Sequence, residues 1–179
     1  HPTVSIPELV RLLMNEGKSF DDALDIARRT FSYTNHTLMS EALETWDCEL
    51  FRSVIPNILD IIFRINDALH REMTSRGLPQ EKINSMYIVA DGRIHMARLA
   101  TFVSSYVNGV AQIHSGLLRT EVLKDWYDVY PERFQNKTNG VTQRRFLGLC
   151  NPALSTLIGS RIGYGFMTDL YELKKLEPL

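Results

Sequence analysis

Between Phe51 and Leu69 the apolar residues Phe51, Val54, Ile55, Ile58, Leu59, Ile62, Ile65 and Leu69 recur at helical spacing for about five turns. A helix with one apolar stripe must bury it, so this stretch predicts the longest helix of the chain and a mostly helical core around it. Pro56 falls inside the pattern, where its missing N–H and its ring are incompatible with a helix interior. The helix therefore either begins near Pro56 or kinks there. The charged run from Arg71 to Arg76 and then Gly77-Leu78-Pro79 mark its solvated end.

With 179 residues, 44% hydrophobic and 23% charged, the chain has the means for one core. Its net charge of −1 gives no basic footprint for nucleic acid or an anionic membrane surface. No apolar run approaches the roughly 20 residues of a membrane-spanning helix. Cys48 and Cys150 form no C-x-x-C pair, which favours reduced thiols and a cytoplasmic setting over a disulfide framework. The five histidines include no close pair with a third ligand, so no metal site is expected. Gly159, Gly163 and Gly165 do not fit G-x-G-x-x-G, and no strand precedes them, which argues against a dinucleotide fingerprint.

In chain order, Ser5-Ile6-Pro7-Glu8 has capping-box spacing before the apolar residues Leu9, Val10, Leu12 and Leu13, and Gly17 closes this first helix. A second helix starts at Ser19, with Asp21 and Asp22 at its positive end and Phe20, Ala23, Leu24 and Ala27 on one face. Phe31 to Thr37 breaks the helical period and reads as a short extended segment entering a polar loop. Met86 to Ala90 reads as a strand closed by a tight turn at Asp91-Gly92. Ile94 to Val103 returns to a helix whose wetter side carries His95 and Arg98, and Leu117 to Val122 predicts another. Trp126, Tyr127 and Tyr130 are expected to lock a connection onto its own domain rather than to stack on a sugar. A last helical stripe runs from Leu147 to Ile162, followed by a charged tail from Asp169.

Three runs stand apart. Tyr33-Thr34-Asn35-His36-Thr37 carries a His in a polar loop, which taken alone is a surface side chain at a strand end. Val107-Asn108-Gly109-Val110-Ala111-Gln112-Ile113-His114-Ser115 reads as an Asn-Gly hairpin, or as a loop where backbone must come close to something. Gln135-Asn136-Lys137-Thr138-Asn139-Gly140 reads as a loop with an Asn-Gly turn, delivering polar groups to a helix that Thr142 can cap.

Together these runs resemble the glycogen, starch and maltodextrin phosphorylases, a resemblance that extends over essentially the whole chain. That family carries Y-T-N-H-T followed by E-A-L-E-x-W, matched by Glu41, Ala42, Leu43, Glu44 and Trp46, and then V-N-G-V-A-x-I-H-S and Q-N-K-T-N-G. Gln143 stands where the family usually has Pro, Phe146 where it has Trp, and Ser105-Tyr106 where it often has His-Ser or His-Ala. In the phosphorylases a His-Pro pair like His1-Pro2 lies deep inside the chain, so an internal segment of a longer enzyme is expected.

The resemblance implies an α/β parent of two Rossmann-like domains, of the glycosyltransferase-B type, with this segment mostly helical and carrying a few short strands. It implies that residues 1–136 close the N-terminal, glucan-side domain and that 137–179 open the C-terminal, cofactor-side domain. The implied reaction is reversible phosphorolysis of a terminal α-1,4 link of a glucan by inorganic phosphate, giving α-glucose 1-phosphate. Pyridoxal phosphate is the implied cofactor, acting through its phosphate group, and its attachment lysine matches none of the six lysines here. By resemblance His36 and Asn139 hydrogen-bond the glucosyl unit around its 6-hydroxyl, Val110 lies beside the sugar, and Phe146 packs near the cofactor. Asn108 and His114 belong to the motif with either a structural or a functional role. Family members are commonly dimers, and the family's allosteric elements at the N-terminal end have no counterpart in these residues. Two other classes fit less of the sequence: a nucleotide-sugar-dependent glucan synthase of the same architecture, and a non-catalytic helical interaction module.

Overall fold

In the computed structural model, which describes residues 1–178 and at Ser40 only the backbone, the chain divides into two compact units, His1–Thr138 and Asn139–Leu179. The first unit opens with a tight turn, Pro2–Val4, in which the His1 Nδ1 accepts from the Thr3 N–H at 3.1 Å. This turn runs directly into α1 (Ser5–Asn15), and the capping box expected at Ser5 does not form. Ser5 already lies inside the helix and donates to the Pro2 carbonyl at 2.6 Å, while Glu8 pairs with Arg11 at 2.7 Å. The start at Ser19 is as the sequence predicts: its Oγ accepts from the Asp22 N–H at 3.1 Å and begins α2 (Phe20–Thr30).

After β1 (Tyr33–Thr34) and β2 (Thr45–Asp47), Asp47 caps α3 (Cys48–Val54), and α4 (Pro56–Ser75) follows. Ile55, with φ −139° and ψ 59°, breaks the long stripe, so of the two readings of Pro56 the helix start is the one adopted. Val54 drops out of the stripe at 67% exposure. Ile58, Leu59, Ile61, Ile62, Ile65, Leu69 and Met73 are buried, and α4 packs against α1 and α3. Ala23 and Ala27 lie wholly buried on α2, and their small side chains fit the close α1–α2 packing.

Next come α5 (Gln80–Met86), β3 (Val89–Ala90) and β4 (Arg93–His95). Asp91 and Gly92 both have positive φ, 51° and 71°, as a two-residue type I′ hairpin requires, and β3 pairs antiparallel with β4. Strand β2 pairs with the other side of β4. Ile94 thus belongs to a strand, and the apolar helix starts later, as α6 (Met96–Phe102). His95 and Arg98 are half-buried rather than wet, and the Arg98 guanidinium donates to the Tyr87 carbonyl at 2.8 Å.

Strand β5 (Val107–Gly109) corrects the hairpin reading of Asn108-Gly109. It is the middle strand of a parallel sheet with β1 on one side and β6 (Phe134–Asn136) on the other. Between β5 and β6 lie α7 (Gln112–Leu117), a π-helical turn at Leu118–Val122, and α8 (Lys124–Val129). Trp126 and Tyr130 are buried, and the Tyr130 hydroxyl donates to Glu72 at 2.6 Å, which locks this connection onto α4.

In the second unit, neither Asn139 nor Gly140 has positive φ, so the expected turn there is absent. Thr142 does not cap with its side chain; its carbonyl accepts from the Arg145 and Phe146 N–H groups, and a π-helical segment follows at Arg144–Leu149. The expected continuous helix over 147–162 divides at Asn151-Pro152, where the Asn151 side chain accepts from the Leu154 N–H and starts α9 (Pro152–Ile162). Phe166 is the wholly buried anchor of this unit, and the charged tail forms a 3-10 helix at Leu170–Leu176.

Candidate functional site

Parallel strands need long crossovers, and ligands of open parallel sheets bind beyond the strands' carboxyl ends. Here β1, β5 and β6 run in the same direction, so all three singled-out runs leave the sheet at one edge. The pairing Thr34 with Asn108 and Gly109 with Asn136 sets the register. Backbone bonds carry the ladder to that edge: the Asn35 N–H donates to the Asn108 carbonyl at 2.9 Å and the Lys137 N–H to the Gly109 carbonyl at 3.1 Å.

His36 is exposed, but its backbone is held. Asn35, 1% exposed, accepts at Oδ1 from the Thr37 N–H at 2.9 Å, an Asx turn that spans His36, and its Nδ2 donates to the Tyr33 hydroxyl at 3.1 Å. Burial pushes the Tyr33 phenol up, so it stays neutral and available to accept. His36 lines a cavity of about 540 Å³ together with His1, Tyr33, Thr37 and Glu44.

Val110 is held by its neighbours on α7. Its N–H donates to the His114 Nδ1 at 3.1 Å. Asn108 accepts from the Thr34 hydroxyl at 2.9 Å and donates to the Gly109 carbonyl at 3.0 Å, so it braces β1 against β5. A Cβ on Gly109 would lie 2.5 Å from the His114 Nδ1 and 2.9 Å from the Ser115 backbone N, the close approach that the sequence signalled. On the far strand the Ser115 hydroxyl donates to Asn136 Oδ1 at 2.7 Å, and Asn136 Nδ2 donates to the Thr138 hydroxyl at 3.0 Å. Asn35, Ser115 and Asn136 were not singled out in the sequence. Their only signal was membership of the three runs: the Ser115–Asn136 bond joins residues 21 positions apart, and the Asx turn at Asn35 is local but reads in the sequence only as part of a polar loop.

Asn139 is exposed and opens the second unit directly after Thr138. Phe146 lies in the π-helical segment of that unit and is 60% exposed. Among the described residues no cluster of three His, Cys, Asp or Glu could hold a metal ion, and no helix is long and apolar enough to cross a membrane. Cys48 and Cys150 are free thiols. None of the six lysines is buried, and Lys82 is committed to Asp128 at 2.7 Å.

A mostly helical chain with a small parallel sheet that gathers loops at one carboxyl edge has the build of an α/β ligand-binding segment. The family described as carbohydrate phosphorylase matches residues 1–179, and the chain belongs to that family. Over 185 aligned positions it is 47% identical to the brain-form glycogen phosphorylase of Bos taurus and 45% identical to that of Homo sapiens, in each case along 100% of this chain. The muscle form of Homo sapiens is 45% identical along 98% of it. The chain spans 22% of the length of each of these relatives.

Proposed function

We propose that this chain is the glucosyl-binding segment of an α-glucan phosphorylase, a hexosyltransferase that cleaves terminal α-1,4 links with inorganic phosphate and releases α-glucose 1-phosphate. The observation that carries this reading is the parallel order β1-β5-β6, which brings two of the three family runs out at one carboxyl edge and delivers the third from the same edge. His36 and Asn139 hydrogen-bond the sugar around its 6-hydroxyl, and Val110 packs against it. None of them needs to move a proton. Holding the ring in the reactive geometry is a large catalytic contribution in itself, and fixed dipoles stabilise the oxocarbenium-like charge that develops on the sugar.

The cofactor of the proposed reaction is pyridoxal phosphate, whose phosphate group supplies the proton relay when bound. This chain's residues do not fit its covalent attachment. A Schiff-base lysine is desolvated to lower its pKa, whereas none of the six lysines here is buried and Lys82 is raised by the hydrogen bond it donates to Asp128. Attachment is therefore assigned to chain outside these residues, with the exposed Phe146 ring offering a packing surface and no indole donor. Two Rossmann-like domains of the glycosyltransferase-B type, meeting between 136 and 137, a homodimeric assembly and a cytoplasmic location complete the proposal.

The test is phosphate-dependent release of glucose 1-phosphate from maltodextrin by the full-length protein. Release is expected. Silence with phosphate, together with glucosyl transfer from a nucleotide sugar, would replace the reading with a glucan synthase.

A further inference from the structure

We propose that His114 is a positioning residue: its Nδ1 is the fixed acceptor that sets the Val110 amide, and through it the face that Val110 offers at the sheet edge. This rests on the glucosyl-site reading above. The β5 ladder ends with the Gly109 carbonyl, which accepts from Lys137, so the next amide, that of Val110, has no strand partner. Left unpaired in a half-buried place, such an N–H would lose its bond to water with nothing gained in return. Ala111, the N-cap of α7, has no side-chain acceptor to offer, and His114 reaches back from within the first turn of the helix to fill that role at 3.1 Å.

Two further features separate this role from packing. Because Nδ1 accepts, the neutral ring carries its proton on Nε2, and that atom is buried without a hydrogen-bond partner among the described residues. A leucine would fill the space without orphaning a donor, so filling space is not what the imidazole supplies. The ring also lies against the bare backbone of Gly109, where a Cβ would intrude to 2.5 Å from Nδ1. The acceptor, the unpartnered Val110 amide and the missing side chain at Gly109 together fix one geometry.

The experiment compares His114→Asn and His114→Leu in the full-length protein, with kcat and KM for phosphorolysis. The Asn Oδ1 sits at the same distance along the side chain as Nδ1, so His114→Asn is expected to keep kcat/KM within about threefold. His114→Leu keeps the bulk and loses the acceptor, and is expected to lose about tenfold or more, mainly in kcat. Leu equal to wild type, or Leu better than Asn, would show a packing residue and overturn the proposal. A wild-type protein without phosphorolysis would sink the parent reading, and a variant that fails to fold would give no kinetics. In either case a second measurement decides: nitrogen resonances of 15N-labelled histidine. An unprotonated Nδ1 coupled across the hydrogen bond to the Val110 amide is expected, and a proton on Nδ1 overturns the assignment.

Discussion

The backbone N–H of Asn35 meets the Asn108 carbonyl at 2.9 Å, the last rung between β1 and β5 before each strand enters the candidate site. The same Asn35 then turns its side chain under the backbone of His36 to accept from Thr37. One buried amide thus couples the sheet to the loop that carries the proposed sugar contact.

Replacing Asn35 with Ala should remove both of its side-chain bonds and leave the Thr37 N–H without its partner. We expect a loss of about 1–3 kcal/mol in stability, read from urea unfolding, and a larger fall in phosphorolysis than stability alone would cause. Unchanged unfolding and unchanged turnover would show that the Asx turn is dispensable.

Gly109 tests the close approach at β5. In Gly109→Ala the new methyl meets the His114 Nδ1 and the backbone N of Ser115, and backbone cannot swing away as a flexible side chain can. The expected cost is about 1–3 kcal/mol, as for other overpacked positions, with the Val110 loop displaced. A variant as stable and as active as wild type would mean that α7 has room to shift.

Glu72 gives a pH dependence. Burial pushes its carboxyl up, but hydrogen bonds from Tyr130, Arg28 and Arg76 and the charge of Arg28 outweigh that and hold it below the usual carboxylate range. A folded value below the unfolded one, about 4.3, means that this stabilisation is present above the unfolded value and is lost as pH falls through the folded one. Melting temperature against pH should therefore fall more steeply below about pH 4 in wild type than in Glu72→Gln, which is less stable at neutral pH. Parallel curves would remove Glu72 from the account.

Incubation of these 179 residues with pyridoxal phosphate, followed by borohydride reduction and mass spectrometry, should show only scattered substoichiometric lysine adducts. One lysine modified 1:1 would contradict the assignment of cofactor attachment to other chain.

Much of the fold was legible because helices announce themselves locally. The Ser19 cap, the Asp91-Gly92 hairpin and the buried face from Ile58 to Leu69 each depend on residues close together in the chain. Pro56 shows the limit of that signal. Periodicity continued through it, and only the backbone at Ile55 decided between a start and a kink. The capping box at Ser5 was overridden by a turn that His1 and Pro2 begin, and the Asn-Gly pairs were misleading because Asn108 and Gly109 are held by parallel neighbours 74 and 27 residues away. Resemblance picked out His36 and Val110, but not the Asx turn by which Asn35 holds the His36 backbone, nor the Ser115–Asn136 bond that ties α7 to β6. For His114 the sequence left a structural and a functional role open, and the structure adds the atom and its partner, Nδ1 and the Val110 amide.

The most direct test of the central claim is kcat/KM for maltodextrin phosphorolysis by the full-length protein and its His36→Ala variant. If the carboxyl edge of β1 and β5 is the glucosyl site, the loss should correspond to about 2–4 kcal/mol of transition-state stabilisation, with the melting temperature little changed because His36 is exposed. A loss of less than about twofold in a folded, active enzyme would contradict it.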